Sequence, residues 1–168
     1  EEDKSFLRKI FSSAKKKSET RNAITVANLD DVLIRFGRCC SPVPGDSIVG
    51  FITRGRGVTV HTAACPKAID NDPQRGVDVK WNIRDQKTVK RTVRIRVLSR
   101  DDAGLLAIMS QTIASCGVNI TSANIRTTKD RKAICLFDVD VSDTGQLAKV
   151  ISMLESKKGV ITVERLRA

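Results

Sequence analysis

The residues best suited to chemistry sit in three short stretches. The first holds Cys39, Cys40, His61 and Cys65. Thiolate and imidazole are zinc ligands, and a domain of this size gains stability from a metal. Adjacent cysteines point apart along a regular chain, however, and zinc hairpins normally place two to four residues between ligands. Buried free thiols also serve as small hydrophobes, so packing stands beside zinc as a reading. The second stretch is Arg54-Gly55-Arg56-Gly57. Two guanidinium groups on a tight turn suit phosphate, because each planar fork can engage two oxygens. A triple-lysine run, Lys15, Lys16 and Lys17, is a second basic candidate, although such runs also serve as solvated helix ends. The third stretch is Asp101-Asp102-Ala103-Gly104-Leu105-Leu106, followed by Asn119. A helix beginning there offers free N–H groups to a carboxylate, and Gly104 allows close approach. The same residues also read as an ordinary loop with capping aspartates.

The pattern is one of binding rather than turnover. The chain has a single histidine, no Ser-His-Asp set and no Walker-type loop. A Cys–His pair (His61 with Cys65 or Cys39) lacks a third group to orient it. No catalytic residue is assigned.

These residues need elements to hold them. Residues 1–17 read as the end of an amphipathic helix with Phe6, Leu7, Ile10, Phe11 and Ala14 on one face, and 18–28 read as a polar linker. A small Cys-containing domain follows over 29–88. It opens with the short apolar stretch Leu33 to Phe36. Pro42 and Pro44 exclude helix and central strand. Ile48–Thr53 and Val58–His61 form a hairpin across a four-residue loop. Thr62 caps a short helix containing Cys65, and Val77–Trp81 is a third strand. Residues 89–168 alternate more clearly. Val93, Ile95 and Val97 mark a half-buried strand. Asp101 or Asp102 caps a helix striped by Leu106, Met109, Ile113 and Cys116, and Gly117 ends it. Strands over 118–127 and 133–141 flank a turn at Lys129-Asp130. Asp143 and Gln146 open a second helix striped by Leu147, Val150, Ile151 and Leu154, and a last strand runs from Val160 to Leu166. The fold class is α+β: a small ββα(β) domain, then a ferredoxin-like βαββαβ domain with one sheet face left for a partner or a second copy.

Composition narrows the class further. The 168 residues carry a net charge of +11, with +7 over 1–91 and +4 over 92–168, so no single tail accounts for it. Such a balance favours polyanionic partners, RNA above all. With no tyrosine and one tryptophan, recognition by base stacking is disfavoured. No apolar run approaches membrane-spanning length, so no membrane partner is expected. Five cysteines, two of them adjacent, make a poor disulfide framework and point to reduced thiols in the cytoplasm. The charged, Met-less start suggests a piece of a longer protein.

The run from Cys39 through Asp46, the segment Ile48 to Val58, His61 and Cys65-Pro66 together resemble the C-terminal signature of the RelA/SpoT family, the long ribosome-associated (p)ppGpp synthetases and hydrolases. Asp101 to Leu106, with Gly117-Val118-Asn119-Ile120, resembles an ACT domain, the family's expected last domain. The resemblance departs at Ala64, where the family carries an acidic residue. It implies a non-catalytic regulatory region whose Cys-rich module, called a zinc-finger or ribosome-intersubunit domain, and ACT domain contact ribosomal RNA and tRNA. Such a region reports amino-acid starvation to catalytic domains of the same polypeptide. It also implies ACT pairing into a homodimer that binds a branched-chain amino acid near Asp101–Leu106, Asn119 and Ile120. No cofactor is required on this reading, with zinc as the alternative.

Overall fold

The computed structural model describes residues 23–27, 32–70, 73–82 and 90–167. The helix expected over 1–17 and the lysines at 15–17 lie outside them. The described residues form two compact units. One comprises those up to Gly37 and from Ser47 to Asn82, the other Arg38–Asp46 and Lys90 onward.

In the first unit, strands β1 (Ile24–Val26), β2 (Ile34–Phe36), β3 (Ile48–Thr53) and β4 (Gly57–Thr62) precede the short helix α1 (Pro66–Ile69). Strands β5 (Gly76–Val77) and β6 (Val79–Trp81) complete it. A four-stranded sheet runs β2-β4-β3-β5, with β2 parallel to β4, and β1 pairs antiparallel with β6. Ile24, Val26, Ile34, Val58, Val60 and Val79 form the core, and Phe36 stacks on Trp81 at 5.8 Å between ring centroids.

Three details differ from the expectations. The polar segment read as a linker contains β1, where buried Ile24 and Val26 flank exposed Thr25. Three residues are too few for alternation to stand out. The single strand expected at 77–81 is two: Gly76–Val77 pairs with β3 and Val79–Trp81 with β1. Thr62 does not cap α1. It ends β4, and Cys65 is the N-cap with Pro66 at the first helical position, where a missing N–H does no harm.

The second unit follows the expected order: β7 (Arg91–Arg100), α2 (Leu105–Ser115), β8 (Asn119–Thr127), β9 (Lys132–Val141), α3 (Thr144–Glu155) and β10 (Val160–Leu166). The strands lie in the order β10-β7-β9-β8, all antiparallel, giving the ferredoxin-like βαββαβ arrangement. Val93, Ile95 and Val97 of β7 and Phe137 and Val139 of β9 pack under Met109, Ile113, Val150 and Leu154 of the helices. The α3 cap forms as expected: the Asp143 carboxylate accepts from the Gln146 backbone at 2.7 Å, and the Gln146 side chain accepts from the Ser142 backbone at 2.8 Å. The α2 cap does not. Gly104, at φ 81°, is its N-cap, and neither Asp101 nor Asp102 caps it through a side chain. The buried face accordingly carries Leu105, while Leu106 is 43% exposed. Gly117 takes φ 72° just past the helix, the left-handed conformation expected there.

Arg38–Asp46 packs as part of this second unit. Val43 is fully buried in its core cluster. The Pro44 carbonyl accepts a hydrogen bond from the Thr144 backbone at 2.9 Å, satisfying a donor at the start of α3.

Candidate functional site

Cys39, Cys40, His61 and Cys65 are all buried, and their ligand atoms lie within 4.8 Å of one another. The cysteines are free thiols. Adjacent thiols diverge on a strand, but Cys39 and Cys40 stand in a turn after β2, and Ser41 follows at φ 42°. Off the pleat, neighbouring side chains can converge, so adjacency does not exclude a shared ligand here. His61 comes from β4, held by the β3 ladder through its pairing with Val49. Phe51 meets its ring edge-on at 6.4 Å. Gly37 lies against the ring, where a Cβ would come within 2.5 Å of Nδ1. Burial, reinforced by the ammonium of Lys67, lowers the imidazole below its ordinary value and favours the neutral, ligand-competent form. Three thiols and one imidazole are, in number and kind, the donors of a structural zinc site.

The arginine turn is the tip of the β3–β4 hairpin. Arg54, Gly55 and Arg56 are exposed. The strand resumes at Gly57, so the loop is one residue shorter than expected. Gly57 has φ 78°, and a Cβ there would meet the Leu33 carbonyl oxygen at 2.1 Å. Only glycine closes this turn. The Thr53 and Thr59 hydroxyls meet at 3.1 Å below it, and the Arg56 amide donates to the Thr53 carbonyl at 2.9 Å. Two guanidinium groups thus project from a rigid ladder.

In the second unit, Asp101, Asp102, Ala103, Gly104 and Leu106 are exposed on the β7–α2 loop, whereas Leu105 is buried in the core. The space over Gly104 is open to 4 Å around a built Cβ. Asn119 is exposed and Ile120 half-buried at the start of β8. Gly104 and Asn119 stand at opposite ends of α2, which spans 11 residues, or about 16 Å. One chain therefore does not gather them around one small ligand.

Sequence reasoning missed the contacts of Arg165. Its guanidinium donates to both Asp46 carboxylate oxygens at 3.0 and 2.9 Å and to the Ser41 carbonyl at 2.8 Å. The side chains are 10% and 11% exposed. The partners are 119 residues apart, so no local pattern announces the pair.

Comparison with known proteins also finds two parts, divided between residues 82 and 87, with Arg38–Asp46 falling in the first. A family model described as the RelA/SpoT RIS domain matches residues 24–82, and an ACT domain model matches residues 87–165. A GTP pyrophosphokinase of Myxococcus xanthus is 51% identical over 146 residues, covering 87% of this chain and 19% of that protein. The bifunctional (p)ppGpp synthase/hydrolase RelA of Mycobacterium tuberculosis is 32% identical over 145 residues, covering 85% of this chain and 19% of its own length. The crystal structure of the ACT domain from a Chlorobium tepidum GTP pyrophosphokinase shares 27% identity, with a TM-score of 0.42, covering 46% of this chain and 100% of that one. The chain spans about a fifth of the length of these curated relatives. Carrying a RIS domain followed by an ACT domain, the chain belongs to the RelA/SpoT family.

Proposed function

We propose that this chain is a regulatory, non-catalytic region of a cytoplasmic (p)ppGpp synthetase/hydrolase. It docks on ribosomal RNA and tRNA and relays amino-acid starvation to catalytic domains of the same polypeptide. The observation that carries this reading is the exposed Arg54–Arg56 tip on a braced hairpin within the RIS-matched residues, in a chain of net charge +11. Guanidinium forks on a rigid support engage phosphate without first having to be ordered. The relatives' names supply the nucleotide chemistry, and the two matched domains fit a part of such an enzyme that binds rather than reacts. Among the described residues no helix is long and apolar enough to cross a membrane. Filter binding of ribosomal RNA tests the docking surface. Arg54→Ala/Arg56→Ala weakens binding by about tenfold on this account, and an unchanged isotherm would remove the hairpin tip from it.

A second reading rests on the open space over Gly104 and the absence of a side-chain cap on α2. It has an ACT homodimer binding a branched-chain amino acid, with the β7–α2 loop of one copy and Asn119 and Ile120 of the other. Calorimetric titration with valine, isoleucine and leucine decides it, and no heat from any of them at dimer-favouring concentrations rejects it. In the Cys-rich module, zinc would be held by Cys39, Cys40, His61 and Cys65 and would serve as a structural cross-link. Elemental analysis of purified protein, with and without chelator, tests this.

A further inference from the structure

The Arg38–Asp46 segment does more than fill a gap in the second unit. Val43 anchors it in the core, the Pro44 carbonyl receives the first N–H of α3, and the Asp46–Arg165 pair latches its far end. Arg165 also donates to the Ser41 carbonyl, fixing the middle of the segment. So held, the segment forms one wall of a cleft of about 460 Å³ against the sheet face that the helices leave open. Arg38 and Ser41 line it from the segment, and Thr92, Arg94, Asp138 and Arg167 from the sheet side.

The charges in this cleft do not balance. Arg94 grips both oxygens of Asp138, at 2.6 and 2.7 Å, and this ion pair occupies the one carboxylate in the lining. Arg38 and Arg167 are exposed and have no ion-pair partner among the described residues. Among the described residues the Ser41 hydroxyl has one long contact, 3.4 Å to the Arg38 carbonyl, and can turn toward a ligand. Two unpaired guanidinium groups facing one cavity, beside a third already oriented by its carboxylate, match a ligand with more than one negative charge. A single carboxylate would leave one of them unanswered. The planar fork of arginine fits phosphoryl oxygens, and the volume lies within the range of small-molecule sites. No aromatic ring lines the cleft, so it would hold phosphate rather than stack a base.

We infer that this cleft, walled by the latched Arg38–Asp46 segment and lined by Arg38, Arg94 and Arg167, is a binding site for phosphoryl groups. It shares no residue with the hairpin tip. The ligand's phosphates come either from a free polyphosphate compound or from an RNA backbone, and the experiment separates these sources. The whole chain, labelled with nitrogen-15, is titrated with pyrophosphate in one arm and with a short single-stranded RNA in the other. Amide shifts report where each binds. The expected result is saturable movement of Arg38, Ser41, Thr92 and Arg167 in at least one arm. Movement with pyrophosphate identifies a free polyphosphate site; movement with RNA alone identifies the backbone as the source. Arg38→Ala/Arg167→Ala weakens that binding by about tenfold or more, and circular dichroism checks that the double variant folds. In the pyrophosphate arm, Arg54→Ala/Arg56→Ala leaves the movement of Arg38, Ser41, Thr92 and Arg167 in place. Static resonances for these four residues in both arms, or binding indifferent to Arg38→Ala/Arg167→Ala, overturns the site. Phosphate binding here without any association with ribosomes would contradict the functional reading above and leave the cleft standing.

Discussion

Arg165 illustrates how one side chain ties distant sequence together. Its guanidinium is nearly enclosed, with Asp46 on one side and the Ser41 carbonyl on another. Removing one member of such a pair leaves the other charge buried without compensation, which costs more than the pair itself contributes. Arg165→Met is therefore expected to lower stability by about 3 kcal/mol or more, read from urea unfolding of the second unit. A double-mutant cycle with Asp46→Asn should show strong coupling, because the two groups share one network. Additive single effects would mean that the contact carries little. Asp143 is a milder case. Asp143→Ala removes the oxygen that accepts from the Gln146 amide and should cost about 1 kcal/mol in the same assay.

Elements differed in how plainly the sequence announced them. The βαββαβ order was readable because its strands run seven to ten residues and alternate, as Val93, Ile95 and Val97 do. The α3 stripe and its Asp143–Gln146 cap were readable for the same reason: the signals are local. At α2 the aspartates suggested a cap, yet the chain turns through Gly104 in the left-handed region, which moves Leu105 into the core and Leu106 out. Capping chemistry was present in the sequence, but the backbone turn decided the register. Strand β1 has too few residues to show a period, and its partner β6 lies more than fifty residues on. The latched segment left no local trace, since Val43, Pro44 and Asp46 find their partners beyond residue 90. Of the candidate sites, the arginine turn was legible because glycines mark it. The convergence of Cys39 with Cys40 was not, because periodicity arguments apply to strands and helices and these residues occupy a turn.

Three carboxyl groups of the second unit contribute to its response to acid. Hydrogen bonds from Lys132 and then Thr128 lower the Asp130 carboxyl to about 2. The Arg94 fork lowers Asp138, and the Gln146 backbone amide lowers Asp143. Each carboxyl binds its proton more weakly in the folded chain than in the unfolded one. Their contribution is thus complete above the unfolded carboxylate range, near pH 4, and is lost as pH falls toward 2. Thermal melts at pH 7, 4 and 2.5 should show little change over the first step and a marked fall over the second. A melting temperature flat down to pH 2.5 would contradict this assignment.

For the molecule as a whole, the positive charge is spread along the sequence, +7 over residues 1–91 and +4 over 92–168. Neither unit is large, and the first has few core residues, so a metal held by Cys39, Cys40, His61 and Cys65 would add stability where the apolar core is thin. If zinc is bound, a chelator should lower the melting temperature of the protein, and Cys65→Ser should remove the chelator's effect; a metal-free preparation with an unchanged melt would assign the thiols to packing. This distribution of charge is what the proposed recognition of a polyanion through phosphate contacts would use. Such contacts release counterions, so affinity must fall steeply as salt rises. The direct measurement is pelleting of the chain with ribosomes across a series of potassium concentrations. The account predicts strong association at low salt and a linear loss of log affinity against log salt, with a shallower slope for Arg54→Ala/Arg56→Ala. Failure to pellet at any salt, or an affinity indifferent to salt, would contradict it.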